Sequence, residues 1–231
     1  VQKDEPAHGA LSNAKPSISQ WFFALTGEAA TIILRYGMFE ERTPPGQTLT
    51  DKWPVLHYAS VPHPDMAQWR FRTKGLVARP LELSWEQFRA LPRVTLTSDF
   101  HCVTAWSRLD NTWEGVRFST IVAETRPQAS AKHCLLHGLD GYTTNLPLRA
   151  LTDDDVLFAW SWQGKALEPE HGGPLRLVVP KLYAWKSAKW VCAVEFLEHD
   201  RRGFWEERGY HNRANPWREE RYSYQETGEE E

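Results

Sequence analysis

Between residues 48 and 224 the chain breaks into short β-branched and aromatic segments bounded by Gly, Pro or Asp, with no long helical pattern between them. Parallel strands need a connection of a dozen or more residues, usually a helix. The punctuation therefore disfavours a doubly wound sheet and predicts an α+β fold, mixed β-sheets with short helices. Strand signals fall at Trp69-Arg70-Phe71-Arg72 ahead of Gly75, at 94–97 after Pro92, and at 112–118, 132–137, 156–162, 175–179 and 191–196. One helix is predicted from Ser84, whose hydroxyl can cap while Gln87 reaches back, just ahead of Phe88 and Leu91. Another follows Ser119.

The ends read differently. Residues 1–48 are expected to form an amino-terminal helical arm and linker: Trp21, Phe22, Leu25, Ile32 and Ile33 recur in partly helical spacing, and the breaker run Thr43-Pro44-Pro45-Gly46 follows. Residues 49–224 form the main domain and 225–231 a solvated acidic tail. A chain of 231 residues, 41% hydrophobic, is too apolar for bulk disorder. Its net charge of −3 offers no electrostatic case for nucleic acid. No apolar run approaches the roughly 18–20 residues of a membrane span. The thiols Cys102, Cys134 and Cys192 are too few for a disulfide scaffold, and an odd count leaves at least one free. No signal-type apolar region or twin-arginine start is visible, so the expected compartment is the cytoplasm; an export signal removed ahead of Val1 is compatible with the same residues.

Several local clusters carry chemistry. Cys102 follows His101 just past an expected strand, where it reads either as a thiolate that binds metal or as a small buried hydrophobe. His133, Cys134 and His137 suggest zinc at first sight, but on a strand Cys134 faces away from the two histidines, and no Cys-x-x-Cys completes a site. The run from Asp140 to Pro147 is rich in turn formers, closing a turn or presenting donors to a polar ligand. In His171-Gly172-Gly173-Pro174-Leu175-Arg176 the glycines allow close approach and the arginine offers a fork to phosphate. Tyr183-Ala184-Trp185-Lys186-Ser187-Ala188-Lys189-Trp190 reads as lysine stems lying over aromatics or as an anion cradle.

Taken in order, Asp99-Phe100-His101-Cys102 with Trp106-Ser107, Asp140-Gly141-Tyr142, the 171–176 turn and Lys186-Ser187-Ala188-Lys189-Trp190 resemble the sulfite oxidase family of molybdenum enzymes. The likeness is to its small stand-alone bacterial-type members and covers residues 44 to 224. It implies a molybdenum and molybdopterin cofactor, with Cys102 as the metal ligand. It further implies that Tyr142 sits at the substrate position with Asp140 orienting it, and that His57, Tyr58, His137, His171, Arg176, Lys186, Ser187 and Lys189 contact the cofactor. Arg108, shortly after the ligand cysteine, is our own candidate for holding an anionic substrate, an exposed surface arginine being the alternative.

No Cys-x-x-Cys-His occurs, and His63-Pro64-Asp65 lacks the glycine pair of a haem signature, so a separate electron-transfer partner is expected. The arginine cluster of true sulfite oxidases is not reproduced. The expected substrate is thus a small oxo-anion or sulfoxide-like compound, with sulfite-like oxidation and sulfoxide-like reduction both open. A competing reading is a catalytically silent module that keeps the fold and docks a partner through its Trp and Tyr. A cysteine hydrolase with His101 as base is disfavoured, because neighbours on an extended chain point apart.

Overall fold

The computed structural model describes residues 41–227. The helix expected within 18–36 lies outside them, as do residues 228–231. The strand-rich reading resolves into two mixed sheets. The six-stranded sheet contains β1 (Thr48–Leu49), β4 (Arg93–Cys102), β5 (Trp106–Arg117), β8 (Leu157–Trp162), β9 (Lys165–Ala166) and β10 (Arg176–Val178). The five-stranded sheet runs β3 (Glu82–Leu83), β2 (Phe71–Gly75), β11 (Val191–Leu197), β6 (His133–Gly138), β7 (Thr143–Pro147). Among the described strands, only the β1–β5 and β2–β11 pairings are parallel. Helices are short: α1 (Trp85–Arg89), α2 (Phe118–Thr125) and α3 (Leu148–Leu151). At α1 the reciprocal cap expected from the sequence forms, Gln87 N donating to Ser84 Oγ and Ser84 N to Gln87 Oε1.

Strand period decides where the core sits. Along β8, Phe158 and Trp160 enter the main apolar cluster with Phe71, Phe88, Phe118 and Phe196, while Leu157 and Ala159 turn to a second cluster with Phe100, Trp113 and Val178. Both faces of this strand are thus buried, which is why it reads as a continuous apolar run. Strand β10 repeats the pattern: Leu177 joins the main cluster, and Arg176 projects to the other side, toward aromatic rings. The long β5 passes so close to β8 that a Cβ on Gly115 would lie 1.9 Å from the Phe158 carbonyl oxygen.

Three boundaries differ from the sequence expectation. The 140–147 run is a turn only at its start, and from Thr143 it is strand β7, whose Thr144, Asn145 and Leu146 are buried. Their polar side chains find partners in distant segments, Glu206 and Asp200, which the local run of turn formers does not reveal. The linker expected to end at residue 48 is already part of the body at Gln47, whose Nε2 donates to the Cys102 carbonyl and whose Oε1 accepts from Ser107 Oγ. At the other end Glu226, expected in a solvated tail, pairs with Arg202 and accepts from Asn212 N.

Candidate active site

Cys102 is the last residue of β4, and Val103, Thr104 and Ala105 reverse the chain into β5. The turn closes through Ala105 N donating to Cys102 O at 3.1 Å, with Ala105 at φ 67°. A strand reversal thus places the thiol at a corner. Its Sγ lies 3.1 Å from Thr104 Oγ1, and the Arg221 guanidinium grips the Val103 carbonyl from the far end of the chain. Burial raises the thiol pKa, while the Thr104 hydroxyl and the Arg221 charge work against that rise. His101 points the other way and pairs with Ser107 Oγ at 2.8 Å, so it is not the base of a cysteine nucleophile.

The thiol opens onto a cavity of about 290 Å³. The six-stranded sheet, through Phe100, Cys102, Trp106 and Arg176, and several connecting segments contribute its walls. From the 53–58 segment come Trp53, Leu56, His57 and Tyr58; from the turn ahead of β7, Asp140 and Tyr142; from β10 and the segment after it, Arg176, Trp185, Ser187, Lys189 and Trp190. Phe100, Thr104 and Trp106 border the thiol, and Trp205 and Tyr210 close the remaining side. Aromatic density in the sequence is the only signal for this last group, because such residues are equally at home in a core.

Of the residues singled out by sequence, Cys102, Asp140, Tyr142, His57, Tyr58, Arg176, Ser187 and Lys189 line the cavity. Arg108, His137, His171 and Lys186 do not. His171 stands one layer back, stacked on Trp53 at 4.0 Å. His137 lies on β6 with its Nε2 3.1 Å from Glu195. The Arg108 guanidinium donates to Asp51 O and Asn111 Oδ1 and lies over the Trp162 ring. Lys186 is fully buried and pairs with Glu206 at 2.7 Å. Cys134 is enclosed in the main core, and among the described residues no group of His, Cys, Asp and Glu has metal-binding geometry.

Two wall cations stand out electrostatically. Arg176 is 2% exposed, ringed by Trp53 and Phe100 at 5.1 Å and Trp113 at 5.8 Å, and it donates to the carbonyls of His171 and Ser187. Lys189 Nζ donates to the carbonyls of Leu56 and Glu170 at 2.9 and 2.6 Å. Among the described residues neither has a carboxylate in ion-pair range. Burial consequently brings Arg176 down to about 9 and Lys189 down to about 7. The same desolvation, with these two cations nearby, takes His171 down to about 4. Buried positive charge without a counter-ion is costly unless an anion completes it. On the opposite wall Tyr142 OH donates to Trp185 O at 2.7 Å, and burial together with the Glu206 charge holds its phenol well above the ordinary value. Asp140 caps this turn by accepting from Tyr142 N at 3.0 Å.

The chain is similar to known proteins in sequence and in fold. The family described as oxidoreductase molybdopterin binding domain matches residues 58–205. The uncharacterized oxidoreductase YuiH of Bacillus subtilis is 45% identical over 184 residues, 79% of this chain and 93% of that protein. The protein-methionine-sulfoxide reductase catalytic subunit MsrP of Campylobacter jejuni is 28% identical over 64% of this chain, which spans 57% of that relative. Among solved structures, the sulfane dehydrogenase SoxCD of Paracoccus pantotrophus superposes with a TM-score of 0.59 over 89% of this chain and 62% of its own, at 20% identity. That last likeness shows the fold alone.

Proposed function

Because the chain belongs to the oxidoreductase molybdopterin binding domain family, of sulfite oxidase type, its chemistry is molybdopterin-dependent oxidoreduction, and we propose that it removes oxygen from a neutral sulfoxide-like substrate. The residues present fit the cofactor. The cavity holds one soft sulfur donor, and among the described residues its two wall cations have no carboxylate in ion-pair range, which suits a phosphate-bearing group. When bound, that group supplies two-electron exchange at a metal where oxygen can be passed to or from a substrate.

The chain's own residues do the rest. Cys102 anchors the metal, its thiol giving up a proton on ligation with Thr104 and Arg221 favouring the thiolate. Arg176 and Lys189 neutralise the phosphate, and Ser187 adds a donor beside them. Tyr142 holds a proton at the substrate side, kept neutral by burial. The tryptophan walls exclude water and so strengthen every polar contact inside.

The observation that carries the direction of reaction is the position of Arg108. It is the arginine expected to hold an anionic substrate, and it lies outside the cavity with its donors engaged elsewhere. With the lining cations assigned to the cofactor, the remaining wall is mostly aromatic and apolar, carries Asp140 and no further Lys or Arg, and suits a neutral sulfoxide better than sulfite. The sulfoxide reductases among the relatives agree with that preference. Electrons would come from a separate partner, since no haem signature occurs in this chain.

The test is metal and pterin analysis of the purified holo protein, followed by turnover of sulfoxides, N-oxides and sulfite with suitable dye donors and acceptors. Sulfoxide reduction exceeding sulfite oxidation is expected, and the reverse order would overturn the direction. Cys102→Ser should abolish turnover and molybdenum retention, whereas Cys134→Ser and Cys192→Ser retain both.

A further inference from the structure

Residues 53–58 are the thin wall of the cavity. Leu56 and Tyr58 line it while 51% and 41% exposed, whereas Arg176, Ser187, Ala188 and Trp190, which also line it, are each 2% exposed. The stretch lacks main-chain support as well. Thr50 N donates to Ser107 O, and Asp65 O accepts from Gln68 N and Trp69 N; between Thr50 and Asp65 no backbone group bonds to another among the described residues. Exposed segments without such bonds are the ones that open at least cost.

Side chains hold it down instead. Trp53 is the anchor, its ring stacked on His171 at 4.0 Å, 4.6 Å from Trp162 and edge-on to Trp113 at 5.3 Å. Tyr58 is a first catch: it stacks on Phe204 at 4.0 Å, and its hydroxyl donates to Asp140 O at 2.9 Å. The second catch lies between them, where the Leu56 carbonyl accepts from Lys189 Nζ at 2.9 Å. Lys189 reaches both ways. An ammonium has three donors; two go to the carbonyls of Leu56 and Glu170, which leaves one for an anion in the cavity that Lys189 lines.

Resting on the assignment of Lys189 to the cofactor's phosphate, and not on the direction of turnover, we infer that residues 54–64 are a strap that swings from the Trp53 anchor to admit the cofactor. Lys189 fastens the strap afterwards by bridging the phosphate to the Leu56 carbonyl. Neither catch involves a covalent bond, so the strap can open again.

Charge couples the two events. A hydrogen bond from an ionised donor is roughly twice as strong as a neutral one. Burial brings Lys189 down to about 7, and a phosphate beside it favours the ammonium, which grips Leu56 more firmly. Loading and closure are then linked: the factor by which phosphate favours the closed strap is the factor by which closure tightens phosphate binding.

The experiment uses the full chain free of cofactor, with inorganic phosphate as the probe and chloride at matched ionic strength as the control. Chymotrypsin cuts after Leu56 and Tyr58 in proportion to the open population, and cleavage after Tyr224, 82% exposed, is the internal standard. Relative to that standard, Lys189→Met should speed cleavage at these two sites about tenfold, and Tyr58→Phe, which keeps an aromatic ring for the protease, about fivefold. Phosphate should slow cleavage in the wild type and in Tyr58→Phe and have no effect in Lys189→Met. From loaded protein, Tyr58→Phe should release pterin, followed by its fluorescence after oxidation, about fivefold faster than the wild type. Tyr58→Phe leaves Lys189 in place, so the strap stays testable if the Lys189 variant does not fold. Equal cleavage in wild type and both variants, or phosphate that binds by titration calorimetry without slowing cleavage, would overturn the strap. Phosphate that fails to bind the wild type would instead overturn the assignment of the wall cations, with the cleavage rate of Lys189→Met still deciding whether that lysine holds the segment down.

Discussion

The wall cations tie folding to pH. Lys189 sits at about 7 in the folded chain against an ordinary 10.5, so between those values the unfolded chain holds a proton that the folded one lacks. Stability of the cofactor-free protein should therefore rise with pH from about 7 to 9. His171, at about 4 against 6.5, adds a second rise between those two values. Thermal unfolding of cofactor-free protein across pH 4–9 checks both, and Lys189→Met should flatten only the upper limb. A bound phosphate group should flatten it as well, because a counter-ion lifts the lysine back toward its ordinary value.

At the scale of elements, the close contact of β5 and β8 is the least forgiving feature. A side chain at Gly115 meets the Phe158 carbonyl at 1.9 Å, so Gly115→Ala must push two central strands apart. The expected cost is about 3 kcal/mol, read as a Tm lower by roughly 10 °C. Elements with a strong local signal were readable from sequence, such as β8 with its apolar run and α1 with its Ser84–Gln87 cap. Strand β7 was not, since Thr143, Thr144 and Asn145 look like turn residues until the partners of Thr144 and Asn145 arrive from 55 to 67 residues away. Lys186 was misjudged for a related reason. In the sequence it is one of two lysines among aromatics, and only the fold sends Lys189 into the cavity and Lys186 inward to Glu206. Cys102, Tyr142 and Arg176 were legible through ordered motifs, but Trp205 and Tyr210 come from a segment with no local mark of a site.

Over the whole molecule, the carboxy-terminal segment acts on a site built far earlier in the chain. Arg221 holds the Val103 carbonyl across 118 residues, lies 5.0 Å over the Tyr183 ring, and so braces the turn that presents Cys102. Arg221→Met should loosen that turn without disturbing either sheet. Molybdenum should be lost faster on dialysis while the far-ultraviolet circular dichroism stays unchanged; equal retention would show that the brace is dispensable. The walls carry a further consequence. Trp53, Trp106, Trp185, Trp190 and Trp205, from a chain with 12 tryptophans, all line one cavity. Whatever fills that space alters the surroundings of each indole at once, so intrinsic fluorescence should be strongly quenched on loading, making the protein its own optical gauge of occupancy.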